Sequence, residues 1–134
     1  MQHETRPSHL DLRHAIEGGF KLWDYSPSLS RMLFRATGRD SQRQYLFNVD
    51  LLLAGVRTIE ISTGLVRLLG VRDLQAREPQ YEYEFTPDGK IIASQEFAYI
   101  NYLDPMCSSI DRDQSEKIPV AVSSLIDPKW GEPV

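Results

Sequence analysis

With a single cysteine, Cys107, the chain has no internal disulfide framework, and thiol usage this sparse fits a reducing compartment. Long apolar runs are missing too. The longest, "LLLAGV" from Leu51 to Val56, falls far short of the ~20 residues that a membrane helix requires. The opening "MQHETRPSHLDLRHAIEGG" has neither the apolar centre nor the small-residue cleavage site of an export signal. A soluble, cytoplasmic protein with no membrane contact is expected. Nor is there an excess of positive charge. Lys and Arg number 15 against 19 Asp and Glu, and a net charge of −4 gives no electrostatic reason to hold a polyanion, so nucleic acid is not expected as a partner.

Motifs that carry chemistry are equally scarce. His9 and His14 stand five apart, where a helical metal pair wants a spacing near four. "DRDQSE" begins like a calcium loop at Asp111, Asp113 and Ser115. It then has Glu116 where the loop needs glycine and Val122 where it needs a bidentate Glu. Cys107 has only Asp104, Met106 and serines nearby, and no basic neighbour to lower its pKa. Gly38, Gly55, Gly64 and Gly70 are too scattered to cradle a phosphate. The expectation is a chain without catalytic function, cofactor or metal.

What remains is a folding sequence of 134 residues, 41% hydrophobic and 25% charged, which are globular values for one domain with one core. That domain is taken as residues 1–134, with flexible tails at 1–7 and 128–134. "SHLDLRHAIEGG" predicts a short helix, capped by Ser8 and stopped by Gly18-Gly19. The Trp and Tyr of "FKLWDYSPS" would support it, and Pro27 would end it.

From Leu29 on, β-branched and aromatic residues between turn signals predict strands. "LSRMLFRAT" should end in a turn at Gly38-Arg39-Asp40-Ser41. "YLFNVDLLL" alternates with period two, which places Tyr45, Phe47, Val49, Leu51 and Leu53 on a core face, opposite Asn48 and Asp50. Gly55 interrupts as a bulge or turn would, and Ile59 and Ile61 resume the pattern.

Pro87-Asp88-Gly89, between the runs of "YEYEFTPDGKIIASQEFAYINYL", predicts a hairpin with Thr86 opposite Lys90. Tyr81, Tyr83, Phe85, Ile91, Ala93, Phe97 and Tyr99 then share one face. Glu82, Glu84, Ser94 and Glu96 share the other. "IPVAVSSLI" adds an edge strand, the place that Pro119 tolerates. The fold class expected is α+β, mostly β: an antiparallel sheet as a sandwich or half-barrel with a short N-terminal helix.

With no active-site motif, such a chain acts by presenting surface, and the expected partner is another protein. The docking surface predicted is the acidic sheet face of Glu82, Glu84 and Glu96, with Asp50 contributing charge and Tyr102 an aromatic anchor. An ordinary solvated face is the plain alternative. Two other functions stay open: a ligand-binding β-barrel whose cavity is lined by Tyr81, Tyr83, Phe97 and Tyr99, and a small enzyme using scattered carboxylates and tyrosines.

The succession of "WDYSPSLSRMLFRA", "NVDLLLAGVRTIEI" and a later hairpin, from about Trp23 to Tyr102, resembles the small bacterial immunity proteins of polymorphic toxin systems. Where that family commonly has a His-Asp pair after the opening, this chain has Ser30 and Arg31. The resemblance implies a β-rich, non-catalytic scaffold that neutralises a toxin by covering it.

Overall fold

Period-two alternation and turn residues produce nine strands in the computed structural model, which describes residues 15–40, 45–61, 64–102 and 117–126. They are β1 (Lys21–Ser26), β2 (Arg31–Asp40), β3 (Tyr45–Ala54), β4 (Thr58–Ile61), β5 (Arg67–Asp73), β6 (Tyr81–Thr86), β7 (Gly89–Ala93), β8 (Gln95–Tyr102) and β9 (Lys117–Pro119). One sheet has the order β1-β2-β3-β8-β9 and the other β4-β7-β6-β5, with antiparallel pairing throughout. A helical turn, α1 (Ser123–Ile126), follows β9 and buries Leu125. The architecture is therefore mostly β, with short helical pieces.

The core lies between the sheets. β3 sits at the centre of its sheet and turns Phe47, Val49, Leu51 and Leu53 inward, all fully buried. Apolar side chains occupy alternate positions because successive residues of a strand face opposite ways. Tyr83, Phe85, Ile91 and Ala93 meet them from the second sheet, and the rings of Phe34 and Phe85 stack with centroids 5.0 Å apart.

Two chain crossings share one corner. β3 leaves its sheet through Gly55 (φ 66°), and β7 leaves the other through Ser94, whose N–H and Oγ–H both donate to the Ala54 carbonyl (3.1 and 3.3 Å). A Cβ on Gly55 would overlap Ser94 Oγ, so close approach and left-handed backbone both require glycine there.

Four expectations need correction. Lys21–Ser26 is a strand, β1, and not an aromatic support for a helix. The predicted turn at Gly38-Arg39-Asp40-Ser41 is wrong, because β2 runs through Asp40 and pairs it with Tyr45. Gly38 is instead a site of close approach, where a Cβ would come within 2.7 Å of the Phe47 ring and 2.9 Å of Ala15 Cβ. The β6–β7 hairpin forms as expected, but with Glu84 rather than Thr86 opposite Lys90. A shift of two residues keeps every side chain on its predicted face. Finally, the alternating run does not continue as one hairpin, since β8 belongs to the other sheet and pairs with β3.

Of the predicted N-terminal helix, residues 15–17 are helical and bury Ala15 and Ile16, and Gly19 (φ 94°) ends it as a left-handed stop. The predicted start of that helix, the tails expected at 1–7 and 128–134, and the segment holding Cys107, Asp111 and Asp113 lie outside the described residues. Among the described residues β9 is an edge strand pairing only with β8, and Pro119, opposite Tyr99, needs no donor on its outer side.

Candidate functional site

The acidic residues singled out in the sequence do not form one surface. Glu82 and Glu84 lie on the outer face of the four-stranded sheet, where cations offset them. Arg72 Nη2 bonds Glu82 Oε1 at 3.1 Å, and Lys90 stands opposite both Glu60 and Glu84 in the neighbouring strands. Such exposed pairs are worth ~0–1 kcal/mol and leave little net charge to attract a basic partner.

Glu96 is in the other sheet, paired with the buried Leu53, so it faces inward at the rim of the core and accepts a 2.8 Å hydrogen bond from Tyr83 Oη. Asp50 is fully buried on the outer face of the five-stranded sheet. The Tyr102 backbone pairs with Phe47, and its side chain lies outside the described ones. Among the described residues Tyr83 and Phe97 do not line one cavity with Tyr81 and Tyr99: Tyr83 fills the core, whereas Phe97 is 49% exposed on the five-stranded sheet.

The Tyr83–Glu96 bond ties the two sheets together. Burial, more than the hydrogen bond to Glu96 or that carboxylate's charge, pushes the Tyr83 phenol far above its ordinary range. A tyrosine pKa raised by folding contributes stability that is fully present below about pH 10, the unfolded value, and is lost as pH rises further. Above that point, one proton held only by the folded chain steepens the fall by about 1.4 kcal/mol per pH unit. Tyr83→Phe should cost about 0.5–1.5 kcal/mol at pH 7 and flatten the alkaline limb, as followed by denaturant unfolding from pH 8 to 11.

A different group of residues forms the candidate site. Arg35 on β2 and Asp50 on β3 are directly paired across the strands. Arg35 Nε bonds Asp50 Oδ1 at 2.7 Å and its Nη2 bonds Oδ2 at 2.9 Å, a bidentate pair with side-chain exposures of 4% and 0%. Trp23 of β1 lies over this guanidinium, 5.1 Å from ring centroid to Cζ, and remains 50% exposed. A planar cation held by two hydrogen bonds cannot rotate freely, so the indole rests on a fixed platform.

On its other face β1 exposes Leu22 and Tyr25, opposite Phe34 and Met32, and the 3₁₀ turn Pro27–Leu29 exposes Leu29. Large apolar side chains half-exposed along one sheet edge are, among the described residues, a feature that solvation alone does not explain.

Sequence reasoning missed Trp23 and Arg35. The irregularity between Leu22 and Asp24 places both Leu22 and Tyr25 opposite the inward residues Phe34 and Met32. A same-face spacing of three imitates a helix. The Arg35–Asp50 pair follows from the β2–β3 register alone and would have been found with Asp40 set opposite Tyr45.

Among the described residues, no three His, Cys, Asp or Glu side chains gather as a metal site, and no helix is long and apolar enough to cross a membrane. Compared with protein-family models, with curated proteins and with solved structures, the chain matches none.

Proposed function

We propose that this chain is a non-enzymatic binding protein that engages another protein through the β1 edge, acting in the cytoplasm in the manner of the toxin-neutralising immunity proteins that its sequence resembles. The observation behind this reading is Trp23, half exposed and seated on a buried bidentate ion pair. Protein interfaces draw most of their affinity from a few aromatic or Arg anchors, and an anchor held rigid beforehand loses less entropy on binding. Leu22 and Tyr25 on the other face of the same strand, and Leu29 on the following turn, extend the exposed apolar surface along this edge.

The test compares two tagged baits in extracts of the native host: wild type and the double variant Trp23→Ser, Tyr25→Ser. Both side chains are exposed, so the variant should stay within about 1 kcal/mol of wild-type stability. A protein captured by wild type and lost from the folded double variant is the expected result. Identical captured sets would contradict the reading.

A further inference from the structure

The side of β1 turned away from β2 carries an unfinished ladder. Just before β1, Phe20 and Val66 exchange both backbone hydrogen bonds, 2.6 and 2.8 Å, so the Phe20 N–H and C=O point away from β2. Backbone groups of successive strand residues point to alternate sides, which turns those of Leu22 the same way. Leu22 stands opposite Phe34 and, past the irregularity, Tyr25 stands opposite Met32, two positions on along β2, so Tyr25 repeats the orientation of Leu22. Among the described residues β1 pairs with β2 alone, and no bond continues the Phe20–Val66 ladder to Leu22 or Tyr25. An edge with open N–H and C=O groups is a ready template for another extended chain.

What flanks the edge selects the chain that fits it. On the core side Leu22 and Tyr25 are 38% and 43% exposed, and Leu22 and Phe34 open onto a cleft walled by Ile61 and Leu65. On the outer side Lys21 stands at one end of β1, and at the other Arg31 lies opposite the small Ser26. Both cations are exposed, and neither forms an ion pair among the described residues. The Phe20–Val66 bridge closes the edge before Lys21, and the turn starting at Pro27 closes it after Ser26. The geometry points to strand addition: an extended segment of the partner lies antiparallel to β1, as Val66 lies to Phe20, and bonds the Leu22 and Tyr25 backbones. The two residues that make those bonds share the face of Leu22 and Tyr25, so they are apolar and cover the cleft side. An acidic residue at each end meets Lys21 and Arg31, and the middle one passes Trp23. This inference rests on β1 being the docking edge, and it names the conformation and the chemistry of what docks there.

Amide NMR of the full chain, titrated at low salt with the capped peptide Glu-Val-Thr-Val-Glu, tests the assignment without a partner. Saturable shifts should centre on Leu22 and Tyr25, with their amide protons moving downfield as they gain acceptors. N-methylation of both valines removes the donors aimed at β1 and should abolish binding. N-methylation of the threonine, whose N–H points the other way, should leave affinity within about threefold. Replacing both glutamates by lysine should weaken binding about tenfold or more. Absence of saturable shifts at Leu22 and Tyr25, equal binding of the two methylated peptides, or loss on threonine methylation alone would overturn strand addition. The docking reading has its own test in the paired baits. A protein captured through Trp23 and Tyr25, with no peptide pairing on β1, would strike strand addition and leave the docking edge standing.

Discussion

Asp50→Ala should lower the folding stability by about 3–5 kcal/mol, because it leaves the buried Arg35 guanidinium without its bidentate carboxylate. Desolvating a guanidinium is costly, and in this structure the carboxylate offsets that cost by two charge-assisted bonds of 2.7 and 2.9 Å. Replacing both partners with apolar residues of similar volume, Arg35→Met with Asp50→Leu, removes both charges together. That double variant should recover most of the loss, since hydrophobic replacement of a buried pair is often neutral or stabilising.

Equilibrium unfolding in urea of wild type, Asp50→Ala and the double variant separates these outcomes. A loss below about 1 kcal/mol for Asp50→Ala would show that the pair is solvated in solution. The double variant also isolates the role of the platform. It keeps Trp23 in a stable fold but removes the cation beneath it, so partner binding should weaken even though stability returns.

Phe34→Ala should cost a similar ~3–5 kcal/mol, the usual range for deleting a fully buried aromatic ring. Its ring is stacked on Phe85 of the opposite sheet. That contact makes the loss large, since neighbouring side chains in a close-packed core collapse only partly into a new void. Thermal unfolding gives the stability term, and Phe34→Leu, which keeps most of the volume, should fall well short of the alanine loss. A cost below about 1 kcal/mol for Phe34→Ala would mean the two sheets do not meet as described.

The central strand was legible because its chemistry is redundant. Phe47, Val49, Leu51 and Leu53 repeat with period two, and Gly55 then marks the corner where the chain changes sheets. The β6–β7 hairpin was legible through Pro87-Asp88-Gly89, although turn residues set its register only to within two positions. The sheet change at Ser94 was not, since a strand that crosses between sheets keeps alternating without a break in composition.

That crossing separates Glu96 from Glu82 and Glu84 and removes the acidic face as a single surface. β1 was hidden by its own bulge, which gave Leu22 and Tyr25 a helical spacing. The candidate site therefore lay in the part of the sequence whose period misled. Its Arg35–Asp50 platform depends on pairing between strands, which periodicity along one strand does not encode.

Hydrogen exchange of the purified chain, with and without the protein that the paired baits single out, tests the central claim most directly. Binding through the β1 edge predicts new protection of amides in Lys21–Ser26 and the Pro27–Leu29 turn, with the outer face of β6 around Glu82 and Glu84 unchanged. Protection confined to β6 and β7, with β1 exchanging as in the free protein, would contradict it.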